Sequence, residues 1–80
     1  SVEDAFQHSL LALLPRLRRF AYGLTGALDD GDELVQSACL KALENRRRYR
    51  AGTRLDSWLY KIMQNLWIDQ QRRRRRREIP

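Results

Sequence analysis

Apolar residues in this chain recur at three- and four-residue steps through three successive segments, and no stretch reads as a strand. That rhythm restricts the fold to packed helices. In the first segment Val2, Phe6, Leu10, Leu13, Leu14, Leu17, Phe20, Ala21 and Leu24 form the buried stripe of one helix. Pro15 interrupts it, and proline within a helix removes one hydrogen bond and crowds the preceding turn. Two outcomes follow: a kink, or a short helix ending at Leu14 and a second beginning at Pro15 as its first residue. Thr25-Gly26 stops the segment, glycine being free to take a left-handed cap.

The second segment opens at Asp29-Asp30-Gly31-Asp32-Glu33, acids that can cap a helix and favour its positive N-terminal pole. Leu34, Val35, Ala38, Cys39, Ala42 and Leu43 mark its inner stripe. Glu33, Gln36, Ser37, Lys41 and Glu44 point outward, with Leu40 between the two sets. Asn45 and Arg46-Arg47-Arg48 lead to a turn at Ala51-Gly52-Thr53. The third segment takes Thr53 or Asp56 as its cap and buries Leu55, Trp58, Leu59, Ile62, Met63 and Leu66. Tyr60, Lys61, Gln64, Asn65, Trp67, Asp69 and Gln71 fill the rest of its surface. A helix from Leu55 through Arg77 is about 34 Å long at 1.5 Å per residue, more than so small a domain covers. Its arginine end is expected to project. The expected architecture is all-α, a three- or four-helix bundle with a basic helical extension, divided at residues 1–25, 29–45, 46–54 and 55–77.

Eighty residues with 42% hydrophobic and 32% charged content describe one soluble globular domain with a modest core. No run approaches the roughly 18 apolar residues of a membrane span, and the acid-first N-terminus reverses the order of a signal peptide. A cytoplasmic location is expected, and Ser1 in place of Met points to a fragment. A lone cysteine, Cys39, and a lone histidine, His8, supply neither a zinc ligand set nor a nucleophile with its base. Cys39 reads as a small core residue. The four glycines are scattered, so no phosphate loop is present. Neither catalysis nor a metal or cofactor is expected.

Charge divides the chain. Residues 1–45 hold seven acids against four bases, a net of −3; residues 46–80 hold twelve bases against three acids, a net of +9. The basic half suits a polyanion and the acidic half a different partner. Arg46, Arg47, Arg48, Arg50 and Arg54 surround Tyr49, and the next helix offers Tyr60, Lys61, Gln64 and Asn65. Guanidinium groups pair with phosphates, and aromatic faces stack on unpaired bases for roughly 1–3 kcal/mol each. Trp58, inside the apolar stripe, reads as core; Tyr49 fits either role.

The run GDELVQSACLKALENRRRYRAGTRLDSWLYKIMQNLWIDQQRRRRRR resembles region 2 of the bacterial extracytoplasmic-function (ECF) sigma factors. Its order is theirs: an acidic Leu-Val-Gln helix, a basic-aromatic loop with a Gly-Thr turn, a Trp-Leu helix and a terminal arginine run. PRLRRFAYGLTG is similar to the family's first helix, so the likeness covers nearly the whole chain.

The resemblance implies that Asp32, Glu33, Gln36, Ser37 and Leu40 dock on the clamp helices of the RNA polymerase β′ subunit. Family members commonly carry an acid where Ser37 stands. It also implies that Tyr49, Arg50, Thr53, Arg54, Tyr60, Lys61, Gln64 and Asn65 recognise and open the minus-10 promoter element by capturing flipped non-template bases. Arg72, Arg73, Arg74, Arg75, Arg76 and Arg77 would contact phosphates. Housekeeping relatives have an aromatic at Leu55 and a second Trp at Leu59; without them, strand opening leans on the loop pocket. Region 4, the reader of the minus-35 element, is not among these residues, so an isolated N-terminal domain is expected. Two rival readings remain: a module held mainly by an anti-sigma factor, and a generic arginine-rich RNA binder.

Overall fold

A computed structural model describes residues 1–50 and 52–78, without the side chains of residues 2 and 3; the expected contribution of Val2 to the stripe and of Ala51 to the turn lie outside the described residues. Three helices follow in order: α1, Val2–Thr25; α2, Leu28–Glu44; and α3, Leu55–Glu78. A 3-10 turn, Arg46–Arg48, sits between α2 and α3.

Helix α1 is continuous through Pro15, so two separate helices are not formed. Pro15 is exposed, and Leu11, whose carbonyl loses its partner, is 62% exposed. On that face water can satisfy the orphaned oxygen, which makes the proline tolerable. Ser1 caps the start by accepting from the Asp4 amide at 3.3 Å. Gly26, with φ +75°, closes the end by donating its amide to the Tyr22 carbonyl at 2.9 Å.

The acidic cluster forms the first turns of α2 but does not supply its cap. The cap residue is Ala27, which brings no side-chain hydrogen bond, and Asp29 and Asp30 lie in the first turn at the positive pole. The early start lets Gly31 meet α1. A Cβ there would lie 2.5 Å from Tyr22 Cδ1, so only glycine admits the ring at this distance. Asn45 ends α2, its backbone N–H and side-chain amide both donating to the Lys41 carbonyl.

The core joins Leu10, Leu17 and Ala21 of α1, Leu34, Val35, Ala38 and Ala42 of α2, and Leu59 and Met63 of α3. The alanines let the helix axes approach. Leu17, Leu34, Leu59 and Met63 are fully buried, and each such side chain contributes about 1.5–3 kcal/mol by leaving water. Phe6 meets Trp58 at 6.2 Å and Phe20 stacks on Tyr60 at 4.5 Å. Phe6 and Phe20, fourteen positions apart on α1, thus meet residues only two positions apart on α3, so the two helices cross and do not lie side by side along their lengths. Asp30 at the start of α2 reaches Arg74 near the end of α3, so those two run antiparallel. The molecule measures 51 × 22 × 17 Å.

Candidate docking and nucleic-acid interfaces

Glu33, Gln36, Ser37, Leu40 and Glu44 fall at steps of three and four along α2, which aligns them on one face. Glu33, Gln36 and Glu44 are exposed, Ser37 is half-buried, and Leu40 is 63% exposed although apolar. This is a polar stripe with one hydrophobic point. Asp32 borders it and is held in place: its Oδ1 accepts the Tyr22 hydroxyl at 2.6 Å. That hydrogen bond first, then burial and the nearby carboxylate charge, raise the Tyr22 pKa above its ordinary 10.0. Arg18, Tyr22, Asp32, Val35 and Gln36 line a cleft of about 320 Å³ between α1 and α2 beside the stripe.

The loop between α2 and α3 is latched at both ends. Tyr49 is half-buried, its ring 5.9 Å from Phe6 and 5.3 Å from Trp58, and its hydroxyl donates to the Thr53 carbonyl. Tyr49 therefore serves the core as well as the loop. Thr53 is exposed; its amide and hydroxyl donate to the Arg50 carbonyl at 3.2 and 2.7 Å, and Gly52 turns with φ +93°. Thr53 therefore closes a turn and does not cap α3. Arg50 is exposed.

Asp56, only 6% exposed in the first turn of α3, collects four donors. Arg54 Nε and Nη2 donate to its Oδ1 and Oδ2 at 3.1 and 2.7 Å, Arg16 Nη2 donates to Oδ2 at 3.0 Å, and the Ser57 amide to Oδ1 at 2.7 Å. Arg54's hydrogen bonds lower the Asp56 pKa against the opposing effect of burial, with the Ser57 amide and Arg16 adding to the lowering. Arg54 is exposed, yet its guanidinium is engaged in this network. The sequence shows Asp56 only as a cap candidate, and Arg16 not at all. The Arg54-x-Asp56 spacing is the one local signal; Arg16 lies 40 positions away.

Along α3, Lys61, Gln64 and Asn65 are exposed as expected. Tyr60 is not part of that flank: it is half-buried and stacks on Phe20 with 28° between the rings. Its partner comes from another helix, which periodicity within α3 does not reveal. Lys61, Asn65, Ile68 and Arg72 continue at helical steps as one exposed face. Beside it, Lys41, Ile62, Asn65, Leu66, Ile68, Asp69 and Arg72 line a cleft of about 470 Å³ between α2 and α3.

All six terminal arginines are exposed, but the run is not uniformly free. Arg73 pairs with Asp69 at 2.9 Å. Arg74 lies 5.7 Å from the centre of the half-buried Trp67 ring and 3.4 Å from Asp30 of α2. The body of the domain therefore accompanies α3 to Arg74, further than its length alone predicts. Cys39 is half-buried and burial raises its thiol pKa, in keeping with a packing role. No helix is long and apolar enough to cross a membrane, and the described residues contain no group of metal-ligating side chains.

The family profile described as Sigma-70 region 2 matches residues 10–77. The ECF RNA polymerase sigma factor EcfG of Rhodopseudomonas palustris is 41% identical over 73 residues, covering 91% of this chain and 40% of that protein. SigE of Mycolicibacterium smegmatis is 36% identical over 76% of this chain and 23% of its own length. Among solved structures, the sigma factor RpoE of Bartonella quintana, in complex with the anti-sigma factor NepR, superposes with a TM-score of 0.86 at 36% identity, over 91% of this chain and 46% of that one. The chain thus spans less than half the length of these relatives. Sequence match and backbone agree, and the chain belongs to the sigma-70 region 2 family in its ECF sigma factor branch.

Proposed function

We propose that this domain docks on RNA polymerase core through α2 and recognises and helps open the minus-10 promoter element through the 46–54 loop and the polar flank of α3. The observation that carries this reading is the division of surfaces on an ECF sigma fold. An exposed stripe of Glu33, Gln36, Ser37 and Leu40 lies on α2, and the basic surface lies on the loop and α3. In the docking role Leu40 supplies apolar contact, and Glu33 and Gln36 supply polar pairing to the β′ clamp helices. In the DNA role Arg50, Lys61, Gln64 and Asn65 meet the non-template strand. The phosphates run toward Arg72 and on through Arg77. Strand opening is paid by binding: a captured base returns in stacking and edge hydrogen bonds the few kcal/mol that unstacking costs. No catalytic step is involved.

The same α2 and cleft surfaces could receive an anti-sigma factor, a second reading favoured by the NepR-bound state of the superposed RpoE. Competition between the clamp helices and such a partner follows if both use this stripe. The test is a pulldown with β′ clamp helices. Glu33→Arg or Gln36→Ala weakens capture while leaving single-stranded DNA binding intact. Unchanged capture by both variants removes the docking assignment. In polymerase-bound form, equal affinity for minus-10 and scrambled non-template strands removes the recognition assignment.

A further inference from the structure

The Arg16, Arg54 and Asp56 network has a charge composition that a purely structural tie does not require. Two guanidinium groups share one carboxylate, so the unit carries a net charge of +1. The same oxygen, Asp56 Oδ2, accepts from Arg54 at 2.7 Å and from Arg16 at 3.0 Å. The carboxylate is enclosed, with its side chain 8% exposed, whereas the Arg54 side chain is 75% exposed and that of Arg16 48%. Arg54 also stands at the exit of the loop, immediately after the turn closed by Thr53.

We infer that Arg54 is an exchangeable phosphate ligand: a DNA backbone phosphate draws its guanidinium away from Asp56, and Arg16 keeps the carboxylate neutralised while Arg54 is engaged. Without Arg16, moving Arg54 to a phosphate would leave a buried carboxylate without a cationic partner, which is a large penalty. With Arg16 and the Ser57 amide in place, Asp56 keeps one charge partner and two hydrogen bonds. The guanidinium fork suits either carboxylate or phosphate, so the exchange preserves paired geometry. Arg16, on α1 and away from the loop in sequence, is then a positioning residue that sets how readily Arg54 is released. This inference rests on the DNA-binding part of the proposed function but not on promoter specificity, since a phosphate carries no sequence.

The test is the salt dependence of binding of the full chain to a labelled single-stranded oligodeoxynucleotide, read by fluorescence anisotropy. Each phosphate contact to single-stranded DNA contributes about 0.7 to the slope of log K against log salt. Arg54→Gln lowers the slope by about that amount. Arg16→Gln lowers it equally, because Asp56 then retains Arg54. Arg16→Lys keeps the slope of the unaltered protein. The double variant Arg16→Gln with Asp56→Asn restores it, because no carboxylate competes. An unchanged slope in Arg54→Gln, a loss in Arg16→Lys equal to that in Arg16→Gln, or no restoration in the double variant overturns the inference. A scrambled strand gives the same slopes. If these differences hold while polymerase-bound protein shows no minus-10 preference, promoter recognition fails and the phosphate exchange stands; the reverse outcome separates them the other way.

Discussion

The Tyr22 hydroxyl donates to Asp32 Oδ1 at 2.6 Å, and the ring of the same tyrosine lies against Gly31. One side chain of α1 thus sets both the approach of α2 and the direction of an acid beside its exposed stripe. The front of the proposed docking surface is built partly by the neighbouring helix.

Replacing Tyr22 with Phe keeps the ring and releases Asp32. The folded-state pKa of Tyr22 is raised, so its contribution to stability is complete below the ordinary value of 10.0 and is lost as pH rises through the higher folded value. Thermal melts followed from neutral pH into the phenol range should show the unaltered protein approaching Tyr22→Phe at the alkaline end. A constant gap across that range would exclude the linkage.

Two glycines in helices should respond oppositely to alanine. At Gly23 nothing lies within 4 Å of an added Cβ, so Gly23→Ala gains up to about 1 kcal/mol of helix propensity. Gly31→Ala gains the same propensity but forces the Tyr22 ring aside, at an overpacking cost of about 1–3 kcal/mol. Denaturant titration should place Gly23→Ala above and Gly31→Ala below the unaltered protein.

Asp56 should give the fold an acid-sensitive tie. Its pKa is lowered from 3.8, so its stabilising effect is present above that value and disappears as pH falls through the lower folded value. Acid melts of Asp56→Asn and the unaltered protein should therefore converge below about pH 4. Parallel curves would show that Arg16 and Arg54 do not stabilise the ionised carboxylate.

Leu59 is fully buried on α3, where it joins the core shared with α1 and α2. Leu59→Ala should cost about 2–5 kcal/mol, the usual range for a leucine truncated in a packed core. Calorimetry measures the loss, and a cost near zero would mean that the three helices do not share one core at this point.

Much of the bundle could be read from local order. Leu17, Leu34, Leu59 and Met63 lie on the expected stripes because burial imposes a 3.6-residue period on each helix separately. What periodicity could not supply were partners from elsewhere in the chain. Tyr60 has the phase of an outer residue on α3 but is covered by Phe20, and Asp56 has the position of a cap but takes Arg16 of α1 as a partner. The cap of α2 is hidden in the sequence for a related reason: the acids favour the first turn as well as the cap, and Ala27 gives no polar signal. On the candidate surfaces, the exposed α2 stripe and Lys61, Gln64 and Asn65 follow directly from helix phase. The engagement of Tyr49 and Arg54 depends on ring and carboxylate contacts that only the folded chain assembles.

The clasp of Trp67, Arg74 and Asp30 also partitions the terminal charge. Arg73 and Arg74 are compensated by acids of the protein itself, whereas Arg75, Arg76 and Arg77 have no such compensation among the described residues. The last three arginines therefore form a tip charge that gathers its own cloud of mobile anions. The range of that tip is set by the solution: about 10 Å at 0.1 M salt and about 30 Å at 0.01 M. In dilute electrolyte this small domain presents a target far wider than its 17 to 22 Å girth.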